Sequence, residues 1–216
     1  MQNSDSEHSD LSHIYWMGGS PCGGKSTVSK IIAEQYGLQL YSIDEEMHHL
    51  MQDISAKAQP ALTYWLTQSW DERWFQPADE LLKFIIQAYD EEFTLCIEEI
   101  KAIPPSQPTL VEGNPLRPEL VLPFLAEKHH AIWLIAGDRD MRHYYSQREW
   151  ARHIVEETCD PEKAFDNWMN REIAFANMIR KSCEDHQMTF LLSDRQLPLE
   201  VKARKVADNF RLPCDL

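Results

Sequence analysis

The stretch that decides the fold of this chain is Gly18-Gly19-Ser20-Pro21-Cys22-Gly23-Gly24-Lys25-Ser26-Thr27. From Gly19 onward it fits the pattern G-x-x-x-x-G-K-[ST] at every required position. An apolar run at 14–17 precedes the stretch, and apolar residues with helical spacing follow it at 28–33. The sequence therefore predicts a strand, a tight glycine turn and the start of a helix in direct succession.

This arrangement suits the phosphates of a nucleoside triphosphate. Glycines let successive backbone N–H groups point at one spot, and the free N–H groups of a helix N-terminus add about half a positive charge there. The predicted nucleotide-binding residues are Gly19, Ser20, Pro21, Cys22, Gly23, Gly24, Lys25, Ser26 and Thr27. Lys25 is expected to reach the β- and γ-phosphates, and the Ser26 hydroxyl to ligate Mg²⁺. The alternative is a glycine-rich turn that matches the pattern by chance.

Length and composition indicate one folded domain. The chain has 216 residues, of which 43% are hydrophobic and 26% charged, as is usual for globular domains. We expect one domain over 12–216, after a disordered polar leader at 1–11. No apolar run approaches the roughly 18 to 20 residues that span a bilayer, and the N-terminus lacks the basic and then apolar order of a signal peptide. A cytoplasmic protein without a membrane partner is therefore expected.

The formal net charge of −14 limits the expected partners. A chain this acidic is poorly suited to duplex nucleic acid or an anionic membrane, which attract lysine and arginine. Five widely spaced cysteines favour reduced thiols over a disulfide framework or a zinc site. Cys22 lies near a predicted helix N-terminus, which is expected to lower its pKa. It is either an oxidisable thiol or an ordinary loop side chain.

Short apolar segments alternate with helical ones, which is typical of a parallel sheet covered on both faces. The predicted strands are 13–17, 38–43, 109–113, 131–136 and 188–192. Residues 45–103 are too many for one crossover and have helical spacing throughout, so they predict a helical insertion. Its last helix is expected to begin at Pro77 and to end before Pro104. Residues 70–74, with two tryptophans and an arginine, either line an acceptor pocket or pack the insertion.

Two acidic residues follow predicted strands. In an open parallel sheet the ligand lies beyond the carboxyl ends of the strands, so Asp44 and Glu112 are expected at the same edge as the glycine stretch. Asp44 is a candidate for acceptor chemistry or, alternatively, an ordinary helix N-cap. Glu112 has the position of the acid that faces Mg²⁺, and it is the second candidate metal-binding residue beside Ser26.

Basic residues with aromatic neighbours follow the fourth strand. Arg148 and Arg152 are one helical turn apart, so they are expected to share a face and to close over transferred phosphates. Residues 138–160 are therefore predicted to form a lid. Arg171 is a further phosphate candidate, with a solvated position as the alternative, and the same two options apply to Arg117.

The order of these parts resembles the nucleoside/nucleotide-kinase-like branch of the P-loop phosphotransferases over residues 13–212. Within that branch it is similar to small-molecule kinases of the shikimate, gluconate and chloramphenicol phosphotransferase type. The resemblance implies a three-layer α/β fold with a five-stranded parallel sheet in the order 2-3-1-4-5 and an acceptor-binding insertion between strands 2 and 3. It also implies that Asp44 contacts or deprotonates the acceptor hydroxyl. Ser42 stands where shikimate-type enzymes have the first acid of an Asp-x-Asp pair.

Two hypotheses from different classes follow. The first is an ATP-dependent phosphotransferase that acts with Mg²⁺ on a small hydroxyl-bearing acceptor, with Lys25, Asp44, Arg148 and Arg152 as catalytic residues. The second is a nucleotide-binding regulator or slow NTPase, in which the loop is a conformational switch and the insertion binds a protein. The acceptor, the choice of ATP over GTP, and a monomer or homodimer stay open at this point. A nucleic-acid enzyme is disfavoured by the net charge of −14.

Overall fold

The computed structural model describes residues 11–213, apart from the side chain of Asp53. The predicted leader falls almost entirely on residues outside this range, as does Cys214. Leu11, the last residue of that predicted leader, is buried in the hydrophobic core. Its carbonyl oxygen accepts a hydrogen bond from the backbone N–H of Ile14 at 3.0 Å, so the folded part begins at least one residue earlier than predicted.

A five-stranded sheet forms the centre of the fold, and all neighbouring strands run parallel. The strands are β1 (Ile14–Gly19), β2 (Gln39–Ser42), β3 (Thr109–Glu112), β4 (Ala131–Ala136) and β5 (Phe190–Ser193). Their order is β2-β3-β1-β4-β5, which confirms the predicted fold class and strand order. Because β1 is the middle strand, the glycine stretch at its end lies at the centre of the carboxyl edge of the sheet.

The helices have the following bounds: α1 (Lys25–Tyr36), α2 (Ile43–Leu50), α3 (Pro60–Thr67), α4 (Trp70–Trp74), α5 (Ala78–Ala102), α6 (Pro118–Val121), α7 (Asp138–Gln147), α8 (Glu149–Glu156), α9 (Pro161–His186) and α10 (Leu199–Phe210). The insertion between β2 and β3 contains α2 to α5. α6 is short, because it ends at Val121 and a 3₁₀ turn containing Pro123 follows it.

The two faces of the sheet carry separate cores, because consecutive strand residues point in opposite directions. Trp16 and Trp133 pack into the larger core with α2, α3, α5 and α9. Met17 and Leu134 pack into the smaller core with α1 and α10. Full burial of a side chain such as Met17 or Leu134 stabilises the fold by about 1.5–3 kcal/mol. Helices thus cover both faces and leave the carboxyl edge of the sheet open to a ligand.

Glycine and proline set the ends of the two helices that matter most for the site. Gly37 follows α1 with φ +66, and its N–H bonds to the carbonyl of Ala33, a common way for a helix to end. Pro77 precedes α5 as its N-cap, one residue before the first helical position, so the predicted start is displaced by one residue. α5 ends shortly before Pro104, as its sequence indicates.

Candidate active site

The glycine stretch forms the predicted turn between β1 and α1. Gly19 has φ +133, and Gly24, the N-cap of α1, has φ +87, conformations that only glycine adopts with ease. A Cβ atom at Gly19 would also lie 2.0 Å from the carbonyl oxygen of Leu134 in β4. The backbone N–H of Ser20 donates to that same oxygen at 3.0 Å. The loop is therefore held tightly against β4.

A cavity of about 680 Å³ opens beside this loop, a volume typical of small-ligand sites. The loop residues that line it are Pro21, Cys22, Gly24, Lys25, Ser26 and Thr27. The other three predicted nucleotide-binding residues, Gly19, Ser20 and Gly23, are absent from its lining. Gly23 lies against β4, where a Cβ atom would be 2.4 Å from the carbonyl oxygen of Leu134. These three residues shape the loop, and the other six face the ligand space.

Most of the rest of the cavity lining comes from the α7–α8 region and from the segment after β5, and of these residues only Arg148 was predicted as a site residue. Tyr144 and Trp150 come from the α7–α8 region, together with Tyr145 and Arg148. The segment after β5 contributes Arg195, Leu197, Pro198, Leu199 and Lys202. This part of the lining thus combines aromatic and aliphatic surface with positive charge, a combination that suits a nucleobase and its phosphates.

Arg148 and Arg152 do not share a helical face, and that prediction is wrong. Arg148 has the extended conformation φ −82, ψ 116 and separates α7 from α8. Its guanidinium lies 4.9 Å from the ring centre of Tyr145 and 5.6 Å from that of Trp150, and the side chain lines the cavity. Arg152 is exposed in α8 and is not part of the lining. The predicted spacing required one continuous helix, which the break at Arg148 interrupts.

Lys25 is buried at the inner end of the cavity. Its Nζ donates to the backbone oxygen of Ser20 at 2.8 Å and to Oδ1 of Asn114 at 2.7 Å. Burial lowers the pKa of the ammonium group, and the carboxylates of Glu112 and Asp44 partly offset this by raising it. Phosphate oxygens beside this ammonium would favour its charged form further. Asn114, which no sequence signal identified, positions the lysine.

Asp44, which lies just after the end of β2, lines the same cavity. It is the second residue of α2, and Ser42 is the N-cap, so the alternative of Asp44 as an N-cap is wrong. The side chain is exposed, and its carboxylate acts electrostatically on Lys25. Asp44 therefore combines the two properties that an acceptor-binding acid needs, access to the cavity and proximity to the phosphate loop.

Glu92 of α5 is a second acid beside Asp44. One face of α5 packs on the end of β2, where Glu99 accepts a hydrogen bond from the Tyr41 hydroxyl at 2.7 Å. Glu92 lies two turns earlier on that face. Burial and, secondarily, the charge of Asp44 raise the pKa of Glu92 to about 8. The sequence missed Glu92 because nothing local shows that α5 brings it back to the end of β2.

Glu112 and Ser26, the two predicted metal ligands, occupy different positions. Ser26 lines the cavity, whereas Glu112 is buried at the end of β3 and is absent from the lining. The hydroxyl of Ser42, its neighbour in register on β2, donates to Glu112 at 2.8 Å. Glu112 therefore acts on the site mainly through its charge, which reaches Lys25.

Arg117 and Arg171 are both buried, so the solvated alternative is wrong for each. Arg117 forms ion pairs with Asp90 of α5 and, at 3.1 Å, with Glu119. Arg171 forms an ion pair with Glu172, the next residue of α9. Neither arginine lines the cavity. Each arginine forms an ion pair with at least one carboxylate, and the sequence patterns did not predict these pairs.

Cys22 does not have the lowered pKa that the sequence predicts. Burial raises the pKa of its thiol, and this effect outweighs the opposite influence of Arg148 and Lys25. A raised pKa disfavours the reactive thiolate at neutral pH. Cys22 is therefore a loop side chain that lines the cavity. The four cysteines within residues 11–213 are all free thiols.

Glu46, His49 and Glu99 form a cluster whose ligand atoms lie within 4.8 Å of one another. The Nε2 of His49 lies 3.0 Å from Glu99, and its Nδ1 lies 3.4 Å from Glu46. The hydrogen bond to Glu99 is the main reason that the pKa of His49 is raised. An exposed imidazolium between two carboxylates explains this cluster without a metal ion.

No protein-family model and no curated protein matches the chain. None of the helices within residues 11–213 combines the length and the apolar character needed to cross a membrane.

Proposed function

We propose that the chain is an ATP-dependent phosphotransferase that acts on a small hydroxyl-bearing acceptor. The observation that carries this proposal is the shared cavity, because Lys25 of the phosphate loop and Asp44 beyond β2 open into the same space of about 680 Å³. A cation suited to phosphates and a carboxylate suited to a hydroxyl group thus face one volume. This is the minimum arrangement for transfer between two bound substrates.

The nucleotide is expected to extend along the cavity. Its phosphates belong at the loop, where backbone N–H groups, the start of α1 and Lys25 supply positive charge. Its base belongs against the aromatic side chains of Tyr144 and Trp150 and the apolar surface of Leu197. Arg148, between these regions, is placed to offset negative charge on the phosphate oxygens.

The reaction moves one phosphoryl group. A bond forms between the acceptor oxygen and the γ-phosphorus while the bond from that phosphorus to the leaving oxygen of ADP breaks. The proton of the acceptor hydroxyl passes to the Asp44 carboxylate. Lys25 and Arg148 stabilise the charge on the transferred oxygens, and Asn114 keeps Lys25 in position.

The residues at the loop fit Mg²⁺, a cation that prefers oxygen ligands and retains several waters. The Ser26 hydroxyl lines the cavity and would hold the ion together with phosphate oxygens. Glu112, which accepts the hydrogen bond from Ser42, would act through an intervening water. The ion supplies charge neutralisation of the phosphates when it is bound.

The charge of the chain and its thiols support a metabolite as the acceptor. A net charge of −14 repels polyanionic partners such as nucleic acid over most of the surface. The free thiols of Cys22, Cys96, Cys159 and Cys183 suit a reducing compartment such as the cytoplasm, where we propose that the reaction takes place.

The test is an acceptor screen combined with the variant Asp44→Asn. We expect ATP consumption to rise with one compound from a panel of hydroxyl-bearing metabolites, in the presence of Mg²⁺. Asp44→Asn should lower this acceptor-dependent rate by roughly 10²–10⁴-fold, while ATP binding is retained. Glu45→Gln is the matched control, because Glu45 is the exposed neighbour in the same helical turn and pairs with Lys30 at 3.5 Å. Its rate should equal that of the unmodified chain.

Two results would redirect the proposal. ATP consumption that is the same with and without every compound would indicate the second hypothesis, a nucleotide-binding regulator or slow NTPase. Full acceptor-dependent turnover by Asp44→Asn would remove Asp44 from the mechanism.

A further inference from the structure

A second group of side chains, outside the nucleotide cavity, joins the insertion to α9. Its members are Trp65 of α3, Arg73 and Trp74 of α4, and Arg171 of α9, which together are called the Arg–Trp cluster below. The two indole rings meet edge to face with their centres 5.5 Å apart. The cluster therefore lies in the region where the acceptor is expected, and its chemistry is that of arginine and tryptophan.

Arg73 is a buried cation without a carboxylate partner. It is 8% exposed, and its Nη2 donates to the backbone oxygen of Trp65. Its guanidinium lies 4.5 Å from the ring centre of Trp65 and 4.4 Å from that of Trp70. No Asp or Glu whose side chain the structure describes forms an ion pair with it, and its Nε has no hydrogen-bond partner among the described residues. Burial lowers its pKa, although an arginine stays charged at neutral pH.

Arg171 has one carboxylate partner, and two of its nitrogen atoms have no hydrogen-bond partner in the described part of the chain. Its Nη2 bonds to Glu172, whose Oε1 also accepts from the Tyr145 hydroxyl at 3.1 Å and from Trp168 Nε1 at 2.9 Å. The Nε and Nη1 atoms of Arg171 are buried and have no partner within the described residues. The guanidinium lies 5.1 Å from the ring centre of Trp74 and 5.8 Å from that of Trp65.

In this region buried positive charges outnumber buried negative ones, and hydrogen-bond donors outnumber their acceptors. This region contains two buried guanidinium groups, Arg73 and Arg171, and only Arg171 pairs with a buried carboxylate, Glu172. The unpaired polar atoms of the four cluster residues are all donors, since the indole Nε1 of Trp74 joins the arginine nitrogens. Buried charges are usually paired, because an isolated one loses its hydration without compensation. Internal water supplies acceptor atoms, but only an anion supplies both the acceptor atoms and the missing negative charge.

We propose that the Arg–Trp cluster is an anion-binding subsite that holds a carboxylate or phosphate group of the acceptor. This inference rests on the proposed function, because it assigns the anion to the molecule whose hydroxyl faces Asp44. Tyr145 connects the two regions, since it lines the nucleotide cavity and its hydroxyl bonds to Glu172. The acceptor class is therefore a small molecule with a hydroxyl group at one end and an anionic group at the other.

Entry to the subsite requires α4 to move, because the unpaired nitrogens of Arg171 have almost no accessible surface. One half-buried hydrogen bond, from Asn167 Nδ2 of α9 to the backbone oxygen of Trp74 at 2.7 Å, has to break when α4 moves. Two further polar contacts join α4 to the segment that follows α8. Trp70 Nε1 donates to Glu157 at 2.8 Å, and the backbone N–H of Cys159 donates to Asp71 at 2.9 Å. These two contacts are exposed, so water can replace them when α4 opens.

The test measures anion binding directly by titration calorimetry. The phosphate loop is first saturated with Mg²⁺ and a non-hydrolysable ATP analogue, so that added anions cannot bind there. The probes are acetate, glycerate and inorganic phosphate, with glycerol as the neutral counterpart of glycerate. We expect at least one anion to bind, and glycerol to bind more weakly than glycerate if the carboxylate is the recognised group. Tighter binding of inorganic phosphate would identify the phosphate as that group.

The variants separate the subsite from a general charge effect. Arg73→Gln removes no ion pair and should raise the Kd of the bound anion at least tenfold. Arg171→Lys keeps a positive charge beside Glu172 and should weaken binding in the same direction. Arg180→Gln removes an arginine from the surface of α9, where it pairs with Glu184 at 3.0 Å, and should leave the Kd unchanged.

The outcomes distinguish this inference from the proposed function. Failure of all three anions to bind, or equal Kd values for Arg73→Gln and the unmodified chain, would show that the cluster holds water only and would overturn the subsite. Anion binding that Arg73→Gln weakens, without turnover of any acceptor, would support the subsite and count against the kinase. Turnover of neutral alcohols without anion binding would support the kinase and overturn the subsite.

Discussion

Glu172→Gln is the substitution that tests the buried charges of α9 most directly. The side chains of Glu172 and Arg171 are 2% and 5% exposed. The Oε1 atom of Glu172 accepts hydrogen bonds from Tyr145, Trp168 and Arg171. A glutamine keeps the shape and one oxygen that can accept from the tyrosine and the indole. It removes the negative charge, so that the guanidinium of Arg171 stays buried without its counterion.

The magnitude follows from this burial. Removing one partner of a buried ion pair costs roughly 3–5 kcal/mol, because an uncompensated charge is left behind. For a domain of this size each kcal/mol lowers Tm by about 2–4 °C, which gives a decrease of roughly 6–20 °C. Typical domains have an unfolding free energy of about 5–15 kcal/mol, so most of the variant should still fold at room temperature.

The control is Glu184→Gln, the same substitution on the same helix. Glu184 pairs with Arg180 across one helical turn at 3.0 Å, and the two side chains are 51% and 50% exposed. Such pairs contribute about 0.3–0.5 kcal/mol, which corresponds to a decrease of about 1–2 °C. Urea titrations followed by circular dichroism give both free energies of unfolding. A loss for Glu172→Gln within about 1 kcal/mol of the control would refute the reasoning that the buried pair is broken at high cost.

Two further predictions concern the cavity. Arg148→Ala should raise the Kd for ATP with Mg²⁺ roughly tenfold or more, because it removes a charged donor from the cavity wall. Arg152→Ala should leave this Kd unchanged. Equal Kd values for the two variants in titration calorimetry would contradict this difference. Glu92→Gln should gain stability relative to the unmodified chain as the pH rises. The folded chain raises the pKa of Glu92 from 4.5 to about 8, so the stabilisation from its proton is complete below pH 4.5 and is lost as the pH rises through about 8. Urea unfolding across that range measures the difference between the two proteins, and a difference independent of pH would show that Glu92 titrates normally.

The loop and the sheet could be predicted because their signals are local. The required glycines are adjacent in sequence, and the apolar run at 131–136 coincides with β4 to the residue. β5 begins two residues later and ends one residue later than the predicted strand at 188–192. Met188 is buried in the larger core, but pairing with β4 begins only at Phe190. In a strand in the middle of the sheet, the buried residues are also the paired ones. At the edge strand β5, burial begins before the residues that pair with β4.

Arg148 was predicted at the site and lines the cavity, but the environments of the arginines could not be predicted, because they depend on tertiary packing. Arg171 has the spacing of a helix-surface residue, and its burial depends on Trp65 and Trp74, about one hundred positions earlier in the chain. The sequence predicts Arg148 inside a helix. In the structure its extended conformation separates α7 from α8, so its side chain does not share a helical face with that of Arg152. Sequence patterns predicted which segments form the site, but the direction of each side chain follows from tertiary packing.

The buried charges of this fold differ in sign from its net charge. The chain carries −14 overall, yet the buried ionic side chains within residues 11–213 are mostly cations: Lys25, Arg73, Arg117, Arg171 and Lys202, against Glu112 and Glu172. Arg117 is matched by its ion pairs to Asp90 and Glu119. The remaining four lie beside the nucleotide cavity or in the Arg–Trp cluster, the two places where anions are proposed to bind. Carboxylates on the surface keep their hydration, and cations at the carboxyl edge of the sheet lose theirs. On the proposals above, polyphosphate and acceptor anion would supply the missing negative charge, so binding of either should stabilise the folded chain by mass action and raise its Tm.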